Sequence, residues 1–297
     1  MRLLKEVDRM TLRIGEIHYT NIMPMFFHLP KTALLQEGFQ FQSSTPAQLN
    51  QGMADGTVDV GGISSFEYAR NPDKYLLLPD LGVSTDGEVG SILLFSKVPI
   101  SQLSNRKVAL TSSSATSVHL LKLLLERNQG VHNEYTVMDP DVKTMLADCD
   151  AALLIGDDAI AAAWSGTAEY QYDLGAWWKE WTGLPMTYAV FAVRKEAAEK
   201  YPDSLSRLWE AFNESRDTAA GESYEQLIEW ALREKGGTVS FWSAYFSRLI
   251  HRLDPYYLSG LKQYCRFLYE DRWIQQYPAF SFWNRSGAGI YSKVDRL

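Results

Sequence analysis

The sequence predicts an α/β protein of two lobes with a helical C-terminal tail. Short β-like runs alternate with helix-like runs from Thr11 to about Arg194, the pattern of strands joined through helices into largely parallel sheets. Two strand-like segments, "SILLFSKVPI" and "MTYAVFAVRKE", lead into and out of a separate α/β block, so the chain crosses twice between lobes. From Ala198 onward, apolar residues recur at helical spacing through four successive segments. One lobe is expected over 98–192 and the other, discontinuous, over 1–97 and 193–297. A ligand cleft between them can close by a hinge.

The first strand is expected at "TLRIGEI" and the second at "FQFQS". After the second, Thr45, Pro46 and Gln48 supply an N-cap, a proline at the first helical position and a capping-box glutamine. "TVDVGGI" forms the third strand, and Ser64 with Glu67 three residues on gives another capping box. "SILLFSKV", "KVALT", "EYTVM", "AALLIG" and "MTYAVFAV" follow as strands. The tail helices are "DSLSRLWEAFNESRDTA", "SYEQLIEWALREKG", "VSFWSAYFSRLIHRL" and "PYYLSGLKQYCRFLYEDRWI".

A chain of 297 residues, 46% hydrophobic and 13% aromatic, can bury one or two cores. Its formal charge of -7 argues against nucleic acid or an anionic membrane surface as partner, because both require a basic face. A small anion remains compatible where local dipoles and hydroxyls receive it. Cys149 and Cys265 stand far apart without paired-cysteine spacing and read as reduced, buried thiols. The stretch "MRLLKEVDRMTLRIGEI" scatters charges and lacks the apolar core of a signal peptide. "AALLIGDDAIAAAW" is cut by Asp157 and Asp158 well short of the roughly 20 residues a membrane span needs. A soluble cytoplasmic protein is expected.

"TSSSATSVHLLKLLLERN", from Thr111, carries a hydroxyl cluster into an amphipathic run, with Ser114 at the N-cap position. The cluster can simply cap the helix. The same helix start, with unpaired N–H groups and the positive end of the dipole, can also hold a carboxylate or phosphate. In an open α/β sheet, ligands bind beyond the carboxyl ends of the strands, and polar or small residues gather at several such points here. They are Tyr19 and Asn21, Ser64 and Ser65, Ser112 to Ser117, and Gly156-Asp157-Asp158. Each group alone can be a cap or turn; together they point to one cleft.

Other chemistries find little support. His18, His28, His119, His132 and His251 form no metal-ligand spacing, so no metal is expected. There is no GxSxG elbow, P-loop or GxGxxG. Asp157 and Asp158, as sequence neighbours, point in different directions and read better as a helix cap and a solvent-facing charge than as an acid/base pair. "WWKEW" spaces Trp178 and Trp181 as a core stripe, although these rings can also line a cleft.

The segments "IGEIHYTNIMPMF", "GTVDVGGISSFEYAR", "GEVGSILLFSK", "SSATSVHLLKLLL", "LLIGDDAI" and "DLGAWWKEWTGLPMTYAVFAVR" resemble, in order and approximate spacing, the chorismate dehydratases of the futalosine route to menaquinone. The resemblance runs from about Arg13 to Arg194 and more loosely through the tail. It implies a type II periplasmic-binding-protein-like fold and a hydro-lyase that removes water from chorismate without metal or organic cofactor. Asn21 matches the asparagine of the family's Y/F-x-N motif and Ser91 the serine of its G-x-V-x-S motif, which implies catalytic roles for both. Ser114, Thr116 and Ser117 match its S-x-T-S helix start. With these, Tyr19, Ser64, Ser65, Gly156 and Asp157 are the expected substrate-binding residues. No histidine or paired carboxylate stands out as the base, and the resemblance allows the substrate's own enolpyruvyl carboxylate to take the proton. Two other readings stay open: the related 1,4-dihydroxy-6-naphthoate synthase, whose threonine-rich helix start and catalytic histidine are not matched here, and a non-catalytic cytosolic binder of small anions.

Overall fold

The computed structural model describes residues 12–285, so Thr11 at the head of the first expected strand, the charged stretch before it and the end of the expected discontinuous lobe lie outside the described residues. The chain begins with β1 (Arg13–Glu16), a 3₁₀ turn at Thr20–Met25, α1 (Lys31–Gln36), β2 (Gln40–Ser43), α2 (Pro46–Asp55), β3 (Val60–Ser64), α3 (Ser65–Arg70) and β4 (Tyr75–Thr85). α2 starts with the expected box: Gln48 N–H donates to Thr45 Oγ1, and Thr45 N–H donates to Gln48 Oε1. α3 keeps only half of one. Ser64 Oγ accepts from Glu67 N–H, but the Glu67 carboxylate turns inward to Arg70, Asn71 Nδ2 and the Tyr75 hydroxyl. Glu67 is buried, and a buried carboxylate is tolerated only with a full set of donors, which one backbone N–H does not provide. In the parallel pairing of β1 with β3, Gly15 stands opposite Gly61. A Cβ on Gly61 would lie 2.9 Å from Leu49 Cδ1, so glycine here lets α2 seat on the sheet.

The second part comprises β5 (Ile92–Ser96), β6 (Lys107–Thr111), α4 (Ala115–Lys122), β7 (Glu134–Met138), α5 (Val142–Asp148), β8 (Ala151–Ile155), α6 (Gly156–Ser165), β9 (Tyr170–Asp173) and α7 (Leu174–Thr182). α4 runs on as a π-helical turn to Asn128. The chain then returns through β10 (Met186–Arg194) and ends in α8 (Lys195–Lys200), α9 (Pro202–Gly221), α10 (Glu225–Lys235), α11 (Val239–Arg248) and α12 (Pro255–Glu270).

Two five-stranded sheets result, in the orders β2-β1-β3-β10-β4 and β7-β6-β8-β5-β9. They are mixed rather than largely parallel, because β10 runs antiparallel to β3 and β4, and β5 antiparallel to β8 and β9. Each of these strands enters its sheet on arrival from the other one. The connections are 86–91 and 183–185, so the segments read as crossings begin where the connections end. Sheet membership thus changes a few residues ahead of the divisions at 97/98 and 192/193 expected from sequence.

Two strands escaped the sequence reading. β4 contains Pro79 and the positive-φ residue Asp80, and its register against β10 jumps there from Leu77 to Gly82. A proline is compatible with a strand at a bulge on a sheet edge, which is where β4 lies. β9 is a four-residue edge strand without a long apolar run.

The tail packs on both sheets. Phe212 of α9 sits edge-on to Phe26 and Phe191, Trp181 of α7 stacks on Phe267 of α12 at 4.9 Å, and Trp178 is fully buried. The tryptophans of "WWKEW" therefore pack in the core or against it. Cys149 and Cys265 are free and buried. No helix among the described residues is long and apolar enough to cross a membrane.

His119 of α4 also belongs to the core: its ring stacks on Phe66 at 3.7 Å, and Nδ1 is bonded to the Ala115 carbonyl at 2.8 Å. Burial lowers its pKa from the ordinary 6.5 to about 4. Between these values the unfolded chain holds a proton that the folded chain does not, so stability falls as pH drops through that window, by up to about 3 kcal/mol for one such group. Denaturant titrations at pH 7.5 and pH 4.5 are expected to show a smaller acid loss in His119→Phe than in the parent. Equal losses would assign the acid sensitivity elsewhere.

Candidate active site

The carboxyl ends of β1, β3 and β8, the start of α4 and strand β10 converge on a cavity of about 70 Å³ between the sheets. The first sheet contributes Ile17, Tyr19, Asn21, Ser64 and Tyr188; the second contributes Ser113, Ser114, Ser117, Ile155 and Gly156. Among the described residues, none of those lining it carries a formal charge. Ligand pockets commonly measure about 300–1,000 Å³. The space between the sheets is therefore smaller than a ligand pocket commonly is.

The second-sheet wall is the start of α4. Ser114 caps it, accepting from Ser117 N–H at 3.1 Å and donating to Ser117 Oγ at 3.0 Å. The N–H groups of the first helical turn have no intrahelical acceptor. Gly156, which opens α6, has φ +60°, and a Cβ there would come within 3.2 Å of the Tyr19 ring. Glycine thus serves both a left-handed backbone and the close approach of an aromatic ring from the other sheet.

The Tyr19 hydroxyl has its pKa raised first by burial and then by the Asp158 carboxylate. Tyr188 shares a 3.1 Å hydrogen bond with Thr85 Oγ1, and complete burial pushes its pKa far up. Both phenols remain protonated near neutrality, but the Tyr188 proton goes to Thr85 Oγ1, whose own hydroxyl donates to the Gly87 carbonyl. Asn21 joins the cavity wall from the 3₁₀ turn, and its carbonyl is bonded to His251 Nε2 at 2.7 Å. Asp157 reaches across the cleft, accepting from Thr20 N–H at 3.2 Å and pairing with Lys235 at 2.9 Å.

With this geometry established, comparison with known proteins places the chain. The profile of the menaquinone biosynthesis family matches residues 12–270. The chain belongs to this family. A chorismate dehydratase from Thermus thermophilus is 35% identical over 199 residues, covering 62% of this chain and 70% of that protein. One from Campylobacter jejuni is 29% identical over 203 residues, 65% of this chain and 75% of that protein. The fold is that of periplasmic binding proteins: the aliphatic sulphonate binding protein SsuA of Escherichia coli superposes with a TM-score of 0.62 at 16% identity, over 91% of this chain and 95% of its own.

In this member of the menaquinone biosynthesis family, Tyr19, Asn21, Ser64, Ser114, Ser117 and Gly156 meet at one cavity. Four other expected site residues lie off its wall, each engaged by the protein. Ser65 Oγ donates to the Thr187 carbonyl on β10. Thr116 Oγ1 accepts from Phe66 N–H, tying α4 to α3. Asp157 forms the cross-cleft contacts. Ser91 accepts from the Tyr245 hydroxyl at 3.0 Å, and its carbonyl accepts from Gly156 N–H at 2.6 Å. Tyr188 was not singled out, since in "MTYAVFAV" only strand alternation could separate cleft-facing positions from core ones, and that strand is buried on both faces.

Thr116→Val keeps the shape but leaves the buried Phe66 N–H without an acceptor, a loss of about 1–3 kcal/mol. Thermal unfolding is expected to report that loss while the KM for substrate stays at the parent value. A raised KM at unchanged stability would put Thr116 in the binding site.

Proposed function

We propose that the protein is a chorismate dehydratase, a carbon–oxygen lyase that converts chorismate to 3-[(1-carboxyvinyl)oxy]benzoate. The carrying observation is a cleft wall of neutral donors, the α4 start facing Asn21, in a member of the menaquinone biosynthesis family. The Thermus thermophilus and Campylobacter jejuni relatives support this reading over the naphthoate synthase.

The reaction removes the hydrogen at ring C3 and the hydroxyl at C4. As C3–H breaks, negative charge spreads through the adjacent alkene onto the ring carboxylate. A carboxylate seated at the start of α4, on Ser114, Ser117 and the free first-turn N–H groups, is bound more tightly as that charge grows, which lowers the barrier. Asn21, on the opposite wall, orients the C4 hydroxyl or the enolpyruvyl ether by its amide. No histidine or carboxylate lines the cavity among the described residues, so the substrate's enolpyruvyl carboxylate is assigned as proton acceptor, with the enzyme holding it over C3. The C4 hydroxyl leaves with a proton as water, and the ring becomes aromatic.

The mass of the small molecule after incubation with chorismate is expected to fall by one water. Thermal stabilisation without conversion would indicate a binder instead, and turnover only of a cyclic futalosine-type substrate would indicate the naphthoate synthase. Asn21→Ala and Asn21→Asp are both expected to lose about 10²–10³-fold in turnover, the aspartate because its charge repels a dianion. An aspartate variant with near-normal turnover would reduce Asn21 to a shaper of the turn.

A further inference from the structure

The two residues expected to be catalytic are each held from behind by the same C-terminal element. Tyr245 of α11 donates to Ser91 Oγ at 3.0 Å, and His251, three residues after α11 ends, meets the Asn21 carbonyl with Nε2 at 2.7 Å. Tyr245 and His251 are both buried and lie outside the cavity wall.

The element is anchored independently of the site. Ile250 and Ser84 exchange two backbone hydrogen bonds of 2.9 Å, which fastens the segment after α11 to β4. Arg248 pairs with Glu88 in the first connection at 3.1 Å. In the same connection, Asp173 accepts from Val89 N–H and Gly90 N–H, fixing the backbone that leads into Ser91.

The donor sense of both contacts is set by burial. The Tyr245 hydroxyl has its pKa raised by burial, so it stays protonated and donates, leaving the Ser91 proton for another acceptor. His251 has its pKa lowered to about 4 by burial, so near neutrality it is an uncharged imidazole and Nε2–H faces the Asn21 carbonyl. A neutral ring fixes the turn without adding charge beside the cleft.

We propose that Tyr245 and His251 are positioning residues, which set the placement of Ser91 and Asn21 respectively and so couple the helical tail to the reaction. The proposal rests on the reading of Asn21 as catalytic and, for Ser91, which lies off the cavity wall, on the catalytic role expected from its motif; its test separates the two.

Steady-state turnover of chorismate is measured for His251→Phe, His251→Gln and Tyr245→Phe, for Asn21→Ala and Ser91→Ala, and for the pairs Asn21→Ala with His251→Phe and Ser91→Ala with Tyr245→Phe. Circular dichroism and thermal unfolding establish that each is folded. His251→Phe is expected to lose about 10–100-fold in kcat with KM little changed, the effect of a displaced group rather than a lost contact. His251→Gln, which can still donate to the carbonyl, is expected to recover most of that rate. Tyr245→Phe loses only a hydroxyl and serves where His251→Phe does not fold; its kcat is expected to fall as well. In the Asn21→Ala and Ser91→Ala backgrounds the second substitution should add nothing, because each positioning residue acts through the one already removed. Parent kcat in folded Tyr245→Phe and His251→Phe, or losses that add in full in the double variants, would overturn the proposal. Parent kcat in Asn21→Ala and Ser91→Ala would instead overturn the catalytic reading on which it stands.

Discussion

The cleft is walled by neutral groups, and an anion taken into such a space has to be matched by hydrogen-bond donors, since desolvating an unmatched charge costs several kcal/mol. The donors come from the start of α4, from the serines around it and from the protonated phenol of Tyr19. Fixed dipoles aimed at one carboxylate favour the state in which charge accumulates there. Behind the wall, burial likewise keeps the Tyr188 and Tyr245 phenols protonated and the His251 imidazole uncharged.

The donors belong to different sheets, so the site is complete only when the sheets approach each other. Gly156 lets Tyr19 lie against α6, and Asp157 takes Thr20 N–H and Lys235 from across the cleft. These contacts bridge the two sheets over a cavity of about 70 Å³. The two connections between the sheets, 86–91 and 183–185, are short, and each leads directly into a paired strand, β5 and β10. Asp173 and Arg248 brace the first connection from opposite lobes.

Much of this was legible in the sequence. The capping box at Thr45 and Gln48, the tail helices and the gathering of hydroxyls after "KVALT" follow from local rules that the fold obeys. Tyr19, Asn21, Ser64, Ser114, Ser117 and Gly156 could be read as one site because all follow strands, and the ends of strands in one layer are neighbours. Local rules fail where tertiary contacts decide. Glu67 has the spacing of a capping box but is drawn into the core by Tyr75 and Arg70, and β4 is a strand despite Pro79 because the edge tolerates a bulge. Thr116 and Ser65 carry the right side chains at the right points, yet their partners Phe66 and Thr187 lie 50 and 122 residues away in sequence. No local pattern announces such a partner. Tyr245 and His251 are hidden for the same reason, lying 154 and 230 residues from the groups they hold.

The central claim is that the start of α4 receives the carboxylate on which charge builds. A crystal structure with 3-[(1-carboxyvinyl)oxy]benzoate bound tests it most directly. The ring carboxylate is expected within hydrogen-bonding distance of Ser114, Ser117 and the first-turn N–H groups of α4, with the enolpyruvyl ether beside the Asn21 amide. A ring carboxylate held instead by a lysine or arginine elsewhere, with the start of α4 left empty, would contradict the account.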